Sequence, residues 1–193
     1  MAQAPLAQSF SLQGVDSADV SFVQGMMHHH AQAIVMSRMA PSHTTRADLR
    51  TTARKIVVSQ RDEIALMRRW LEKHGQTVPA IDTAPPDTAR MMPGMQMSDG
   101  DHAAHHMMMP GMLTAEMMGG LARAHGAKFD SLYLSDIIAH HRGALAMVAK
   151  LFATPGASDD SEIFQLASEI DADQSAEIAR MQSMQLHPPK KTK

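Results

Sequence analysis

The 193-residue chain contains no cysteine, so a disulfide framework, a Cys-based zinc site and thiol catalysis are all excluded. No run of apolar residues is long enough for a transmembrane helix, and no stretch reads as a secretory signal peptide. Net charge is only −2, with a pI near 6.6, which removes any global electrostatic case for nucleic acid. The charge is unevenly spread: residues 46–73 carry eight Lys and Arg against four Asp and Glu, while residues 159–179 carry seven acids and no Lys or Arg. Two helices with complementary solvated faces, lying side by side, account for that pattern. Aromatics are scarce, with one Trp and one Tyr.

Against these absences stand 19 methionines, 12 histidines and a repeat. The stretch Met26 to Met36, with His28-His29-His30 inside it, is matched by Ile137 to Met147, with His140-His141. Upstream, Asp19 pairs with Asp130 and Phe22 with Tyr133. Downstream, Gln60-Arg61-Asp62-Glu63-Ile64 and Met67 are matched by Gln174-Ser175-Ala176-Glu177-Ile178 and Met181. Two linked motifs in the same order, at similar separation, identify an internal duplication.

On a helix, at about 100° per residue, these residues define seams. Phe22, Met26, His29, Ala33 and Met36 share one face, and Tyr133, Ile137, His140, Ala144 and Met147 repeat it. The partner helices show Ile56, Gln60, Glu63, Met67 and Trp70, then Ile170, Gln174, Glu177, Met181 and Met184. Each repeat thus turns one His, one Gln and one Glu toward an apolar interior. Buried polar groups cost a few kcal/mol unless they are paired or bind something.

The chain divides into a disordered lead-in at 1–15, a first helical hairpin at 16–75, and a linker rich in Met, His, Pro and Gly at 76–113. A short helix and second hairpin at 114–187 complete one domain with the first, and 188–193 form a tail. Asp16 or Ser17 caps the first helix, which is expected to stop at Pro41. Thr44 or Thr45 opens the second, which ends near His74 with Gly75 at its left-handed cap. Thr114 opens the short helix and Gly126 ends it; a third long helix starts near Asp130, and Ser158, Asp159 and Asp160 offer caps for the fourth. The fold expected is an all-α, ferritin-like four-helix bundle made of two duplicated antiparallel hairpins.

Ten of the 19 methionines fall between residues 91 and 118. There Met91, Met92, Met95, Met97, Met107, Met108, Met109 and Met112 sit among prolines and glycines, with His102, His105 and His106 between them. No helix period can bury these together, so gap-filling, the usual role of a core Met, does not explain them. Thioethers favour Cu(I) and, by the same softness, Ag(I), whereas imidazole also serves Cu(II). A low-complexity linker, or methionines acting as oxidant sinks, is the competing reading.

The seam allows three readings. His29 with Glu63, and His140 with Glu177, hydrogen-bond across each hairpin, with Gln60 and Gln174 completing the network. Alternatively His29 or His30, near Met26, Met36 and Met67, and His140 or His141, near Met147 and Met181, bind metal. The third is a ferritin-like di-metal oxidoreductase, which wants four carboxylates and two Glu-x-x-His motifs. One seam Glu per repeat and no Glu-x-x-His disfavour it. His28 is unmatched in the second copy, where Ala139 stands, and reads as a flank residue able to add a surface ligand.

The doubled His-His and Gln-x-x-Glu-Ile blocks, over residues 17–75 and 114–185, resemble a bacterial exported family of unknown function that includes the CopM-type copper-binding proteins. The pattern runs Asp19, Phe22, Met26, His29-His30, Ala33-Ile34, Met36, then Gln60, Glu63-Ile64, Met67, Trp70-Leu71. It recurs as Phe129-Asp130, Leu134, His140-His141-Arg142-Gly143-Ala144, Met147, then Gln174, Glu177-Ile178, Met181. Ala31, Ile137 and Val148 depart from residues common in the family. The resemblance implies a ferritin-like bundle, export to the periplasm or cell exterior and, for some members, copper binding linked to resistance.

The function expected is a non-catalytic, exported copper-binding protein that sequesters or hands on Cu(I), with tolerance for Ag(I). The linker methionines and histidines would form a capture segment, and His29, His30, Met36, Met67, His140, His141, Met147 and Met181 more ordered sites. Its partners would be metal ions and a copper-exporting or copper-receiving protein. A non-metal structural or interaction bundle is the remaining alternative.

Overall fold

The computed structural model describes residues 15–84 and 109–186, and every regular element among them is an α-helix. α1 spans Ser17–His43, α2 Ala47–Lys73, α3 Ala115–Arg123, α4 Gly126–Phe152 and α5 Ser161–Leu186. Three starts are set by short polar side chains that accept from otherwise orphaned N–H groups. Asp16 accepts from Ala18 N at 2.6 Å, Thr114 from Met117 N at 3.2 Å, and Asp160 from Glu162 N at 2.8 Å.

Several boundaries differ from the sequence reading. α1 does not stop at Pro41 but runs through it to His43. A proline deletes one helical donor, and so near the helix end the remaining groups are still served, with Thr44 N donating to the Ala40 carbonyl at 3.1 Å. α2 starts after Arg46, and Thr44 instead accepts from Arg46 N at 3.0 Å within the loop. Gly126, with φ +56°, opens α4 rather than closing α3.

The helix directions follow from end-to-end contacts. The start of α1 meets the α4–α5 loop, where Ser158 N donates to the Asp19 carboxylate at 2.7 Å. Its end meets the start of α4, where His43 stacks on His125 with ring centroids 4.5 Å apart. The start of α2 lies by the end of α5, where the Thr52 hydroxyl donates to the Met184 sulfur at 3.7 Å. Its end lies by the start of α5, with Lys73 and Glu162 paired at 2.5 Å. The basic and acidic helices therefore do lie side by side. The chain runs up, down, down, up, with one long crossover, as in ferritin-like bundles. The described start of that crossover climbs along α1, held by Gln24 to the Thr77 carbonyl at 2.8 Å and Arg38 to the Thr83 carbonyl at 2.5 Å.

This arrangement gives the bundle an approximate two-fold axis across its middle, exchanging α1 with α4 and α2 with α5. Apolar clusters fill both halves. One gathers Met36, Met39, Ile56, Leu121, Phe129, Tyr133 and Met181; the other gathers Phe22, Met26, Met67, Trp70, Leu151 and Ile170. Among the described residues only the first receives a fifth helix: α3 inserts Leu121, fully buried, a contribution of about 2–3 kcal/mol. Between the clusters, on the axis, lies a buried polar layer of His29, His30, His140, His141, Gln60, Gln174 and Glu63.

Candidate metal centre

α1 packs against two neighbours, and successive residues on a helix point about 100° apart. His29 therefore faces α4 while His30 faces α2. His29 meets its repeat equivalent His140, ring centroids 3.8 Å apart and planes tilted by 41°. His30 Nε2 donates to the Glu63 carboxylate, and His141 Nε2 donates to Glu177 at 2.7 Å. The network read from the seam, His29 with Glu63 and His140 with Glu177, is corrected accordingly: each carboxylate takes the second histidine of its pair. Gln60 and Gln174 do not complete that network, since neither amide has a partner among the described protein groups.

The tautomers follow from the acceptors. His29 Nε2 donates to the Pro110 carbonyl at 3.0 Å, so its Nδ1 carries the lone pair, with no partner. His30 Nδ1, His141 Nδ1 and both ring nitrogens of His140 are likewise buried and unpaired. An unsatisfied buried polar atom costs about 1–3 kcal/mol, and here such atoms gather on the two-fold axis. Burial lowers the His29 imidazole to about 3, aided by His30 and His141 and opposed by the bond to Pro110. Burial, then His29, also holds His140 well below the ordinary histidine value. Neutral imidazole with an available lone pair is the ligating form, so the donor chemistry suits a soft or borderline metal ion. Among the described residues, however, no group of three or more His, Asp and Glu is set to hold one.

The C-terminal end of the linker is clasped onto this layer. The Gln32 amide accepts from Leu113 N at 2.8 Å and donates to the Leu113 carbonyl at 3.0 Å. On the far side Gly143, the repeat equivalent of Gln32, lies against Pro110 so closely that a side-chain carbon there would collide with the Pro110 carbonyl. Gly111, at φ +78°, leaves the same lack of room, a β-carbon there falling 2.6 Å from the Ala139 carbonyl. Sequence reasoning missed this clasp, although the Gln32–Gly143 mismatch between the repeats was its signal.

The structure separates the other expected donors. Met36 and Met181 are fully buried in one apolar cluster and Met67 in the other. Met147 instead is half-buried in a groove between the start of α1 and the end of α4, where Met109 and His28 also lie. Met112 is half-buried in the clasp. Met91, Met92, Met95, Met97, His102, His105, His106, Met107 and Met108 lie outside the described residues.

The family described as a domain of unknown function, DUF305, matches residues 19–185. The chain belongs to the DUF305 family. Its solved neighbours include a DUF305 fragment from Deinococcus radiodurans, 28% identical over 88% of this chain and 96% of that one, TM-score 0.66. A DUF305 protein from Streptomyces coelicolor, named as a candidate secreted protein, is 26% identical over 87% of this chain and 91% of its own, TM-score 0.67. CopM in its Cu(I)-bound form is 28% identical over 87% of this chain and 96% of its own, TM-score 0.60. CopM is also solved with Cu(II), with Ag and in the apo form. No curated protein matches the chain. The DUF305 fold is the helical bundle described above, and no described helix is long and apolar enough to cross a membrane.

Proposed function

We propose that this DUF305 protein is an exported copper-binding protein that sequesters or hands on Cu(I), and Ag(I) by the same donors, contributing to copper resistance or homeostasis. The observation that carries this reading is the clasp: Gln32, His29 and Gly143 tie the end of the methionine-rich linker to the buried layer of imidazoles. Thioethers and imidazoles then serve one ion together, the linker capturing it and the bundle holding it. Binding CopM's metals is a property of CopM; its likeness to this chain supports the reading. Work outside the cytoplasm suits donors that cannot form disulfides, and a candidate secreted neighbour supports that location. The ion passes to or from a copper-exporting or copper-receiving protein by ligand exchange, with no redox turnover.

Metal analysis of the purified chain after anaerobic exposure to Cu(I), Ag(I), Zn(II) and Fe(II) tests this. Tight retention of Cu(I) and Ag(I) is expected, and failure to retain either would end the proposal. Deleting residues 90–108, which leaves the clasp in place, should reduce the number of ions bound while preserving helix content.

One observation favours a second reading, a ferritin-like metal-dependent oxidoreductase: two His–Glu pairs, one buried and one part-buried, flank the two-fold axis. Stoichiometric Fe(II) uptake followed by dioxygen consumption would favour that chemistry over copper storage.

A further inference from the structure

The two-fold axis relates two grooves between α1 and α4, and among the described residues only one is filled. Where the end of α1 meets the start of α4, α3 lies over the apolar side chains. At the opposite end the equivalent groove, about 870 Å³, opens to solvent and holds His28, Met109 and Met147. Its floor is Gly25. A β-carbon at that position would sit 3.3 Å from Met147 Cε and 3.4 Å from Met109 Sδ, so the two thioether side chains converge over a patch of bare backbone. His28 stands one helical turn further along the same face. Met36, the repeat equivalent of Met147, is fully buried in the core, whereas Met147 is half-buried at the edge of the other cluster and lines the groove.

The geometry points to this groove as a binding site for a single soft monovalent cation, held by the Met109 and Met147 thioethers and the His28 imidazole. It rests on the copper reading above and names where an ordered ion sits. Among the described residues no carboxylate lines the groove, and Lys150 does. A hard dication would lose its hydration shell there with no anionic oxygen to replace it, whereas a soft monovalent ion gains two polarisable sulfurs. Solvent access permits one-at-a-time ligand exchange. Met109, pinned by the neighbouring Pro110 clasp, connects the site to the rest of the methionine-rich linker. Sequence periodicity put His28 on a flank; the fold turns that flank into one wall of the groove.

The test is an anaerobic titration of the full chain with Ag(I), followed through methionine methyl NMR, and with Cu(I) against a competing chelator. The Met109 and Met147 methyls should shift together while that of Met36 stays in place. Met109→Leu and Met147→Leu should each weaken one Cu(I) site at least tenfold, and His28→Ala should weaken it too. The double Met→Leu variant should lose one equivalent, and Met36→Leu none. Near-isosteric Met-to-Leu exchanges keep the fold, and circular dichroism verifies it. If the native chain binds both ions, yet neither methyl moves and the double variant keeps full stoichiometry, the groove site is overturned and the copper reading stands. If the native chain binds neither ion, both fall.

Discussion

The two halves of the bundle carry matching sequence motifs, yet they have been finished differently. On the side covered by α3, Tyr133 reaches across to Ser37, hydroxyl to hydroxyl at 2.8 Å. The equivalent residues on the open side are Phe22 and Val148, both in an apolar cluster. One side presents Met36 to the core, the other presents Met147 to a groove. Gln32 holds the linker with its amide, while Gly143 holds it by having no side chain. The comparison teaches that a duplicated hairpin supplies a symmetric scaffold, and that specificity enters where the copies diverge: the covered side carries stability and the open side carries the proposed chemistry.

The broadest way to probe the scaffold is acid. His29 and His140 have folded-state values below that of an exposed histidine, so the unfolded chain binds more protons than the native one as pH drops below about 6.5. The His29 contribution to stability is complete above that value and is lost as pH falls toward about 3, at about 1.4 kcal/mol per pH unit, and His140 acts in the same direction. Asp19 and Asp136, raised by burial, pull the other way in the carboxylate range. Urea unfolding of the metal-free protein at stepped pH should show this slope, and a flat profile from pH 7 to 5 would contradict the buried neutral pair.

A second comparison sets the halves directly against each other. Leu121→Ala on the covered side should cost about 3 kcal/mol, whereas Met147→Ala on the open side should cost about 1 kcal/mol or less because the groove already admits water. Equal losses would mean that the open groove is as tightly packed as its twin. The third concerns the clasp. Gly143→Ala drives a carbon into the Pro110 backbone, so a loss of about 2–3 kcal/mol is expected, together with faster proteolysis between residues 84 and 109. Gly25→Ala meets only flexible side-chain ends and should cost well under about 1 kcal/mol.

The smallest contrast lies between the two carboxylates. Glu63→Ala leaves the fully buried His30 unpaired and should cost about 2 kcal/mol. Glu177, whose side chain is 18% exposed against 11% for Glu63, should cost about 1 kcal/mol, since water can reach the stranded imidazole. A thermal-melt comparison of the two variants checks the order.

The residue pattern alone was enough to specify the helices, the matching motifs of the two hairpins, the pairing of a basic with an acidic helix, and the polar seam. Each is a property of a segment in its own frame: Phe22 to Met36 and Tyr133 to Met147 repeat at helical spacing wherever the helices are placed. It also marked the thioether-rich stretch as chemically unusual, because prolines and glycines around those methionines argue against ordinary helical burial. Only the tertiary structure decided that His30 rather than His29 meets Glu63, that Gln32 and Gly143 close on the linker from either side, and that Met147 is half-buried in a groove while Met36 is fully buried. Those outcomes depend on the rotation of each helix about its axis and on the path of the crossover. Periodicity carries no information about either, since it records which residues share a face and not what that face will meet.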